Sequence, residues 1–419
     1  MNGKSLLVGG VAVLLGLSVW GGASFVDPGP LYAVPGIPCA VNYTRLFDSY
    51  TPQNYLFDAV PSLGDAPVDR KPYPEIEAEK HLGRCYADCW EYVAATNEAG
   101  KRFVLTLNAW NDEAGLAASV TTTVEVVRAP TDEEKGREIT LALLAASDTN
   151  CRYQDQVMRR MREAGFAKYR PVGSYTSIGD EGGAKHDGYG GWSWGDFLDR
   201  YTVAEDELDK LQNEAERQQM EALGVVKIGS HNAWRRRSLR SPIVKLVDGK
   251  KVVDFQPWFD RINGGKAPTY VVILLGGNGV WAQRPENYQY AHAVDAELEK
   301  AKVLLAKLRA AAPETVVAVC TSMGGSLDQD SWGHNSYCWN SAVLANKSFL
   351  DYNRRMKAYI DSLGDDRLVF VPITQNVDHL KAYPLGRKSG NAMHATFRGG
   401  EQLGDALFAW LLHDIETRK

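Results

Sequence analysis

The chain has 419 residues, 44% of them hydrophobic, and a formal net charge of −5 with a pI near 6.0. That length suffices for a large core and a second module. The small, dispersed acidic excess gives no electrostatic reason to expect nucleic acid or an anionic membrane as partner.

At the N-terminus, Lys4 precedes an apolar run from Leu6 to Val19, and the small residues Gly21, Gly22 and Ala23 follow. This is the pattern of a secretory signal peptide, so residues 1–25 are expected to direct export to the periplasm or beyond. The apolar run falls short of the roughly 20 residues of a membrane span, and an uncleaved N-terminal anchor is the alternative. After it come Cys39, Cys85, Cys89, Cys151, Cys320 and Cys338. In an oxidising compartment an even number permits disulfides, and one or two are expected in the N-terminal module. Cys85 and Cys89 have no second such pair and no nearby His, so no metal site is expected.

Residues 26–130 read as a small β-sandwich-like module, because β-rich runs at 102–107 and 120–127 alternate with Pro, Gly and Asp clusters. The polar stretch 128–136, with Pro130, reads as a linker to an α/β domain over 131–419. Apolar runs at 139–144, 270–275, 315–320 and 367–372 suit strands buried on both faces. Helical patterns at 153–166, 293–311, 349–363 and 399–413 alternate with them. That alternation implies a mostly parallel sheet with helices on both faces, whose ligand site gathers at the carboxyl ends of the strands. A charged helical stretch, 203–223, reads as a solvated insertion.

A serine hydrolase needs a hydroxyl nucleophile, a base, a group that orients the base, and donors for the oxyanion. Four loops offer them. Ala145-Ala146-Ser147-Asp148-Thr149 follows the first apolar run and carries two hydroxyls. His186-Asp187-Gly188-Tyr189-Gly190-Gly191-Trp192-Ser193-Trp194 joins glycines that let backbone approach a ligand to aromatics that could line a sugar-sized groove. Leu275-Gly276-Gly277-Asn278-Gly279-Val280-Trp281 places a side-chain amide after the second run, and Asn391-Ala392-Met393-His394 precedes the last helix.

Together these loops resemble the SGNH (GDSL-type) hydrolases. That family has a Gly-Asp-Ser block after its first strand, a glycine in block II, Gly-x-Asn-Asp in block III and Asp-x-x-His before the last helix. The resemblance spans about 137–415 and includes the flanking segments 254–258, 371–384 and 404–411. It implies a flavodoxin-like parallel sheet, no cofactor, His394 as base, and oxyanion donors at Gly191, Asn278 and the nucleophile's own N–H. The preceding β-module is similar to one often joined to secreted bacterial members.

Three blocks depart from the pattern. Aligning Ala145-Ala146-Ser147 with Gly-Asp-Ser makes Ser147 the nucleophile, whereas aligning Ser147-Asp148-Thr149 makes it Thr149. Ser147 is favoured because a primary hydroxyl is less hindered. Gly279 stands where block III has Asp, and Asn391 where block V has Asp. In serine proteases the equivalent Asp-to-Asn change costs about 10⁴ in rate, yet Cys-His-Asn enzymes show that Asn can hold an imidazole.

The expected function is hydrolysis of an acylated, in particular acetylated, carbohydrate, with Trp192, Trp194 and Trp281 lining the cleft. The alternatives are a degenerate carbohydrate-binding protein, or another carbohydrate-active enzyme using Asp148 or Asp187.

Overall fold

The computed structural model describes residues 23–49, 51–63, 82–176, 182–201, 241–280, 290–332, 341–384 and 392–418. Most of the expected leader, the helix at 203–223, Trp281, Cys338 and Asn391 lie outside the described residues.

The N-terminal strands are β1 (Ser24–Phe25), β2 (Leu31–Ala33), β3 (Pro38–Asn42), β4 (Phe47–Asp48), β5 (Leu56–Ser62), β6 (Arg84–Cys85), β7 (Cys89–Val93), β8 (Arg102–Asn111) and β9 (Gly115–Val126). They form a four-stranded sheet in the order β2-β9-β8-β5, a three-stranded sheet β3-β7-β6, and the pair β1-β4. One apolar cluster, including Val41, Tyr43, Trp90, Tyr92, Phe103, Leu105 and Val124, fills the space among them.

The cysteines correct the disulfide expectation: Cys39, Cys85, Cys89, Cys151 and Cys320 are all free thiols. Register explains this. Cys39 lies opposite Tyr92, Cys89 opposite Asn42, and Cys85 opposite Trp90, so no two thiols face each other across a ladder. The stretch 128–136 is more than a polar tether. It contains the helical turn α1 (Asp132–Lys135), capped reciprocally by Thr131 and Glu134. Arg128 pairs with Glu134 at 2.6 Å and Glu416 at 3.1 Å, tying the turn to the last helix.

From there the chain is mixed α/β. Its strands are β10 (Ile139–Ala145), β11 (Tyr169–Val172), β12 (Tyr175–Thr176), β13 (Lys185–Gly188), the hairpin β14 (Val244–Val247) and β15 (Lys250–Val253), then β16 (Tyr270–Leu274), β17 (Val316–Cys320) and β18 (Leu368–Val371). The helices are α2 (Tyr153–Glu163), α3 (Trp194–Asp199), α4 (Gln256–Asn263), α5 (Gly277–Val280), α6 (Tyr290–Ala311), α7 (Gln329–Trp332), α8 (Ala342–Leu363) and α9 (Phe397–Thr417).

In the main sheet β10, β16, β17 and β18 run parallel side by side. β11 and β13 share the other edge of β10, also in parallel. Strand order therefore reverses between β10 and β16, and in open α/β sheets ligands bind at the carboxyl ends beside such a reversal. Every residue of β10 is buried. Its Ile139, Leu141, Leu143 and Ala145 join α2 and α9 in one core, and Ala142 and Leu144 join α4, α6 and α8 in the other. This two-residue alternation is why its sequence reads as a continuous apolar run.

The N-terminal region rests against loops at the carboxyl edge of the same sheet. Asn42 Nδ2 donates to Gln375 O (2.9 Å), Arg45 Nη1 to Gly325 O (2.8 Å), and Asn346 Nδ2 to Thr44 O (2.8 Å). Asp48 pairs with Lys347 and Arg354 of α8.

Candidate active site

β10 ends at the sheet's carboxyl edge and enters a 3-10 turn, Ser147–Cys151. Arg152, with φ of 63°, turns the chain from there into α2. Ser147 is half-buried, and its Oγ lies 2.7 Å from His394 Nε2. That distance is a good O–H···N hydrogen bond, the geometry in which an imidazole accepts a hydroxyl proton. Accepting at Nε2 puts the ring's own hydrogen on Nδ1. Burial holds the His394 pKa below its usual range, which favours the neutral ring that a base requires.

Thr149 is placed differently. It is buried, and its Oγ1 donates to Ala146 O at 3.2 Å. Its side chain packs on Gly188 so closely that a Cβ there would stand 2.5 Å from both Oγ1 and Cγ2. Of the two hydroxyls, Ser147 carries the hydrogen bond to His394.

Beside β10, β13 leads into the turn Tyr189–Trp192, closed by Trp192 N donating to Tyr189 O at 3.2 Å. Gly191 takes φ of 80° there, the conformation a type II turn asks of its third residue. Among the described residues, an added Cβ on Gly191 would meet nothing within 4 Å. On the other side β16 leads into α5, where Asn278 Nδ2 donates to Trp192 O at 2.9 Å. That bond ties the Asn278 side chain to the turn that carries Gly191. The structure thus gathers Ser147, Gly191, Asn278 and His394 at one edge, from four separate segments.

Two of the three tryptophans correct the expected aromatic groove. Trp192 and Trp194 are fully buried. Trp192 stacks on Tyr189 with ring centroids 4.1 Å apart and carries the Arg200 guanidinium on its face. Trp194 Nε1 donates to Tyr352 Oη at 2.6 Å. Their apolar surface is spent on the core beneath the site. Asp187 is equally committed: it has no exposed surface and accepts from Tyr189 Oη (2.9 Å), Trp258 Nε1 (2.9 Å) and Ser174 N (3.2 Å). It is a structural carboxylate. Asp148, next to Ser147, has its carboxyl pKa pushed up to about 7 by burial. Among the described residues, no group of three or more His, Cys, Asp or Glu could hold a metal ion.

The sequence did not single out Glu297. This α6 residue is 2% exposed and lies against Gly279, the position where block III carries Asp. The available signal was that unusual glycine.

No family model and no curated protein matches the sequence. Solved structures do match. A family two carbohydrate esterase from Clostridium thermocellum is 13% identical, with 94% of this chain and 99% of that one covered and a TM-score of 0.32. The acetyl xylan esterase Est2A from Butyrivibrio proteoclasticus is 11% identical, with coverage of 95% and 97% and a TM-score of 0.32. A carbohydrate acetylesterase family member from Sinorhizobium meliloti is 9% identical, with coverage of 66% and 99% and a TM-score of 0.35. These solved structures to which the chain is similar are esterases.

Proposed function

We propose that this chain is an exported ester hydrolase of SGNH type that removes acyl groups, acetyl above all, from a carbohydrate. The observation that carries the reading is the 2.7 Å contact between Ser147 Oγ and His394 Nε2, made by two residues 247 apart in sequence. The carbohydrate comes from the sequence resemblance, and the α/β domain over 131–419 is taken as the catalytic unit.

Ser147 Oγ attacks the ester carbonyl carbon as its proton passes to His394 Nε2. The oxyanion is held by the N–H of Ser147, the N–H of Gly191 and the side-chain amide of Asn278. Collapse breaks the bond to the sugar oxygen, which leaves with the proton from His394. Water, deprotonated by the same imidazole, then attacks the acyl-serine; the C–Oγ bond breaks, Ser147 Oγ takes the proton back from His394, and the free acid leaves. Asn391 is assigned to orient His394 by accepting from Nδ1–H.

The test is hydrolysis of a p-nitrophenyl acetate and of an acetylated xylo-oligosaccharide. Turnover by the wild type that Ser147→Ala abolishes supports the reading. A folded wild type that cleaves neither but binds the oligosaccharide would make this a carbohydrate-binding protein instead.

A further inference from the structure

We propose that Glu297 is the positioning residue of the oxyanion site, a carboxylate on α6 standing in for the Asp that block III lacks. The inference rests on the esterase reading of Ser147, Gly191 and Asn278.

The argument begins with space. A Cβ on Gly279 would overlap Cγ and Cδ of Glu297. The side chain that residue 279 does not have is thus replaced, in the same place, by a carboxylate from elsewhere in the chain. Glu297 is 2% exposed, an unusual burial for a carboxylate unless paired. Oε1 takes the Lys300 ammonium at 3.0 Å, which balances the charge close to a site that must welcome a developing anion. Oε2 faces the backbone N–H of Trp194 at 3.4 Å.

Trp194 and Gly279 belong to the two loops that hold the proposed oxyanion donors. Trp194 lies three residues after Gly191, and Gly279 directly follows Asn278. Asn278 in turn donates to Trp192 O. The carboxylate therefore touches both loops, which the amide–carbonyl bond also joins. The post carrying it is rigid: Val294, Leu298, Ala301, Leu304, Leu305 and Leu308 of α6 are buried in one core. A fixed carboxylate on a packed helix supplies the support that preorganised donors need.

Removal of the carboxylate should loosen donors that act in the transition state and leave substrate binding nearly intact. Glu297→Ala is expected to lower kcat on p-nitrophenyl acetate about tenfold, with KM within about twofold. The double variant Glu297→Ala with Gly279→Asp returns a carboxylate to the same space from the other loop and should recover most of that loss. Melting temperatures separate a misfolded variant from a mispositioned site. An unchanged kcat in Glu297→Ala, a loss confined to KM, or no recovery in a folded double variant would overturn the inference while leaving the esterase intact. If the wild type cleaves no ester, the esterase reading fails on its own. The side-chain amide resonance of Asn278 in selectively labelled protein then decides: Glu297→Ala should shift it and the double variant restore it, and an unmoved signal overturns the proposal.

Discussion

Gly400 of α9 lies against the carbonyl of Cys151, so closely that a methyl group on Gly400 would overlap the carbonyl oxygen. One turn further on, a Cβ on Gly404 would stand 2.6 Å from Tyr153 O and 2.5 Å from Gln156 Cβ. The two glycines share a helix face and form a notch into which the start of α2 and the nucleophile turn settle. His394 enters just before α9 and Ser147 opens the turn, so the notch lies between the segments that carry the two residues. Gly400→Ala should destabilise the protein by about 1–3 kcal/mol through overpacking and lower kcat more than it changes KM. Thermal melts and steady-state kinetics read the two effects; a variant with unchanged melting and turnover would refute the notch.

The two candidate hydroxyls should separate cleanly on substitution. Ser147→Ala is expected to take ester turnover to background. Thr149→Val keeps the packing on Gly188 and loses only the bond to Ala146 O, a cost of about 1 kcal/mol in stability. Most activity should survive in it, and the opposite pattern would move the nucleophile to Thr149.

Activity should fall in acid with a midpoint below the ordinary imidazole value of about 6.5. Burial depresses the His394 pKa, so the neutral base persists to lower pH than a solvated histidine would. Below the midpoint kcat/KM should drop about tenfold per pH unit, as one essential group protonates. A midpoint at or above the ordinary value would remove His394 as the base.

Asn391→Asp should raise both that midpoint and kcat, because a carboxylate stabilises the imidazolium that an amide only orients. The serine-protease comparison sets an upper scale of about 10⁴, and a tenfold gain is already about 1.4 kcal/mol of barrier. Asn391→Ala should lower kcat. Equal kinetics in all three proteins would show that residue 391 does not act on the base.

A second histidine should contribute to the pH dependence of stability. His379 is buried, its Nδ1 lies 3.1 Å from Thr44 Oγ1, and burial, followed by the nearby Arg45 charge, lowers its pKa to about 4. An unfolded chain protonates this ring near 6.5 and the folded chain only near 4, so the unfolded state binds the extra proton between those values. This ring alone should make stability decline as pH falls through that window, by roughly 3 kcal/mol at about 1.4 kcal/mol per unit, while Asp148, whose carboxyl takes up its proton near 7 in the folded chain, acts in the opposite sense. Urea melts of the wild type and of His379→Gln should therefore diverge across that window, the variant gaining stability relative to the wild type toward acid. An equal pH dependence in that variant would assign the effect elsewhere.

The chain's periodicity determined the framework of the α/β region. Continuous apolar runs marked β10, β16, β17 and β18, since strands covered on both faces have no polar side to show. Amphipathic stretches marked α2, α6, α8 and α9, close to their observed ends except at the start of α8, which begins at Ala342 and not at 349. Order along the chain also put Ser147, Gly191, Asn278 and His394 in loops at strand ends and before the last helix. What it could not decide were facts of contact between distant segments. Which hydroxyl meets His394 depends on a 3-10 turn that sends Thr149 against Gly188 and leaves Ser147 toward the base. Whether a tryptophan lines a groove or fills a core depends on what packs over it, and Tyr189, Phe197 and Tyr352 do so for Trp192 and Trp194. The disulfide expectation rested on an even count of cysteines, whereas pairing requires facing positions, and strand register denied them. Glu297 was invisible for the same reason: its place under Gly279 is created only when α6 packs against the sheet and brings together residues that the sequence keeps apart.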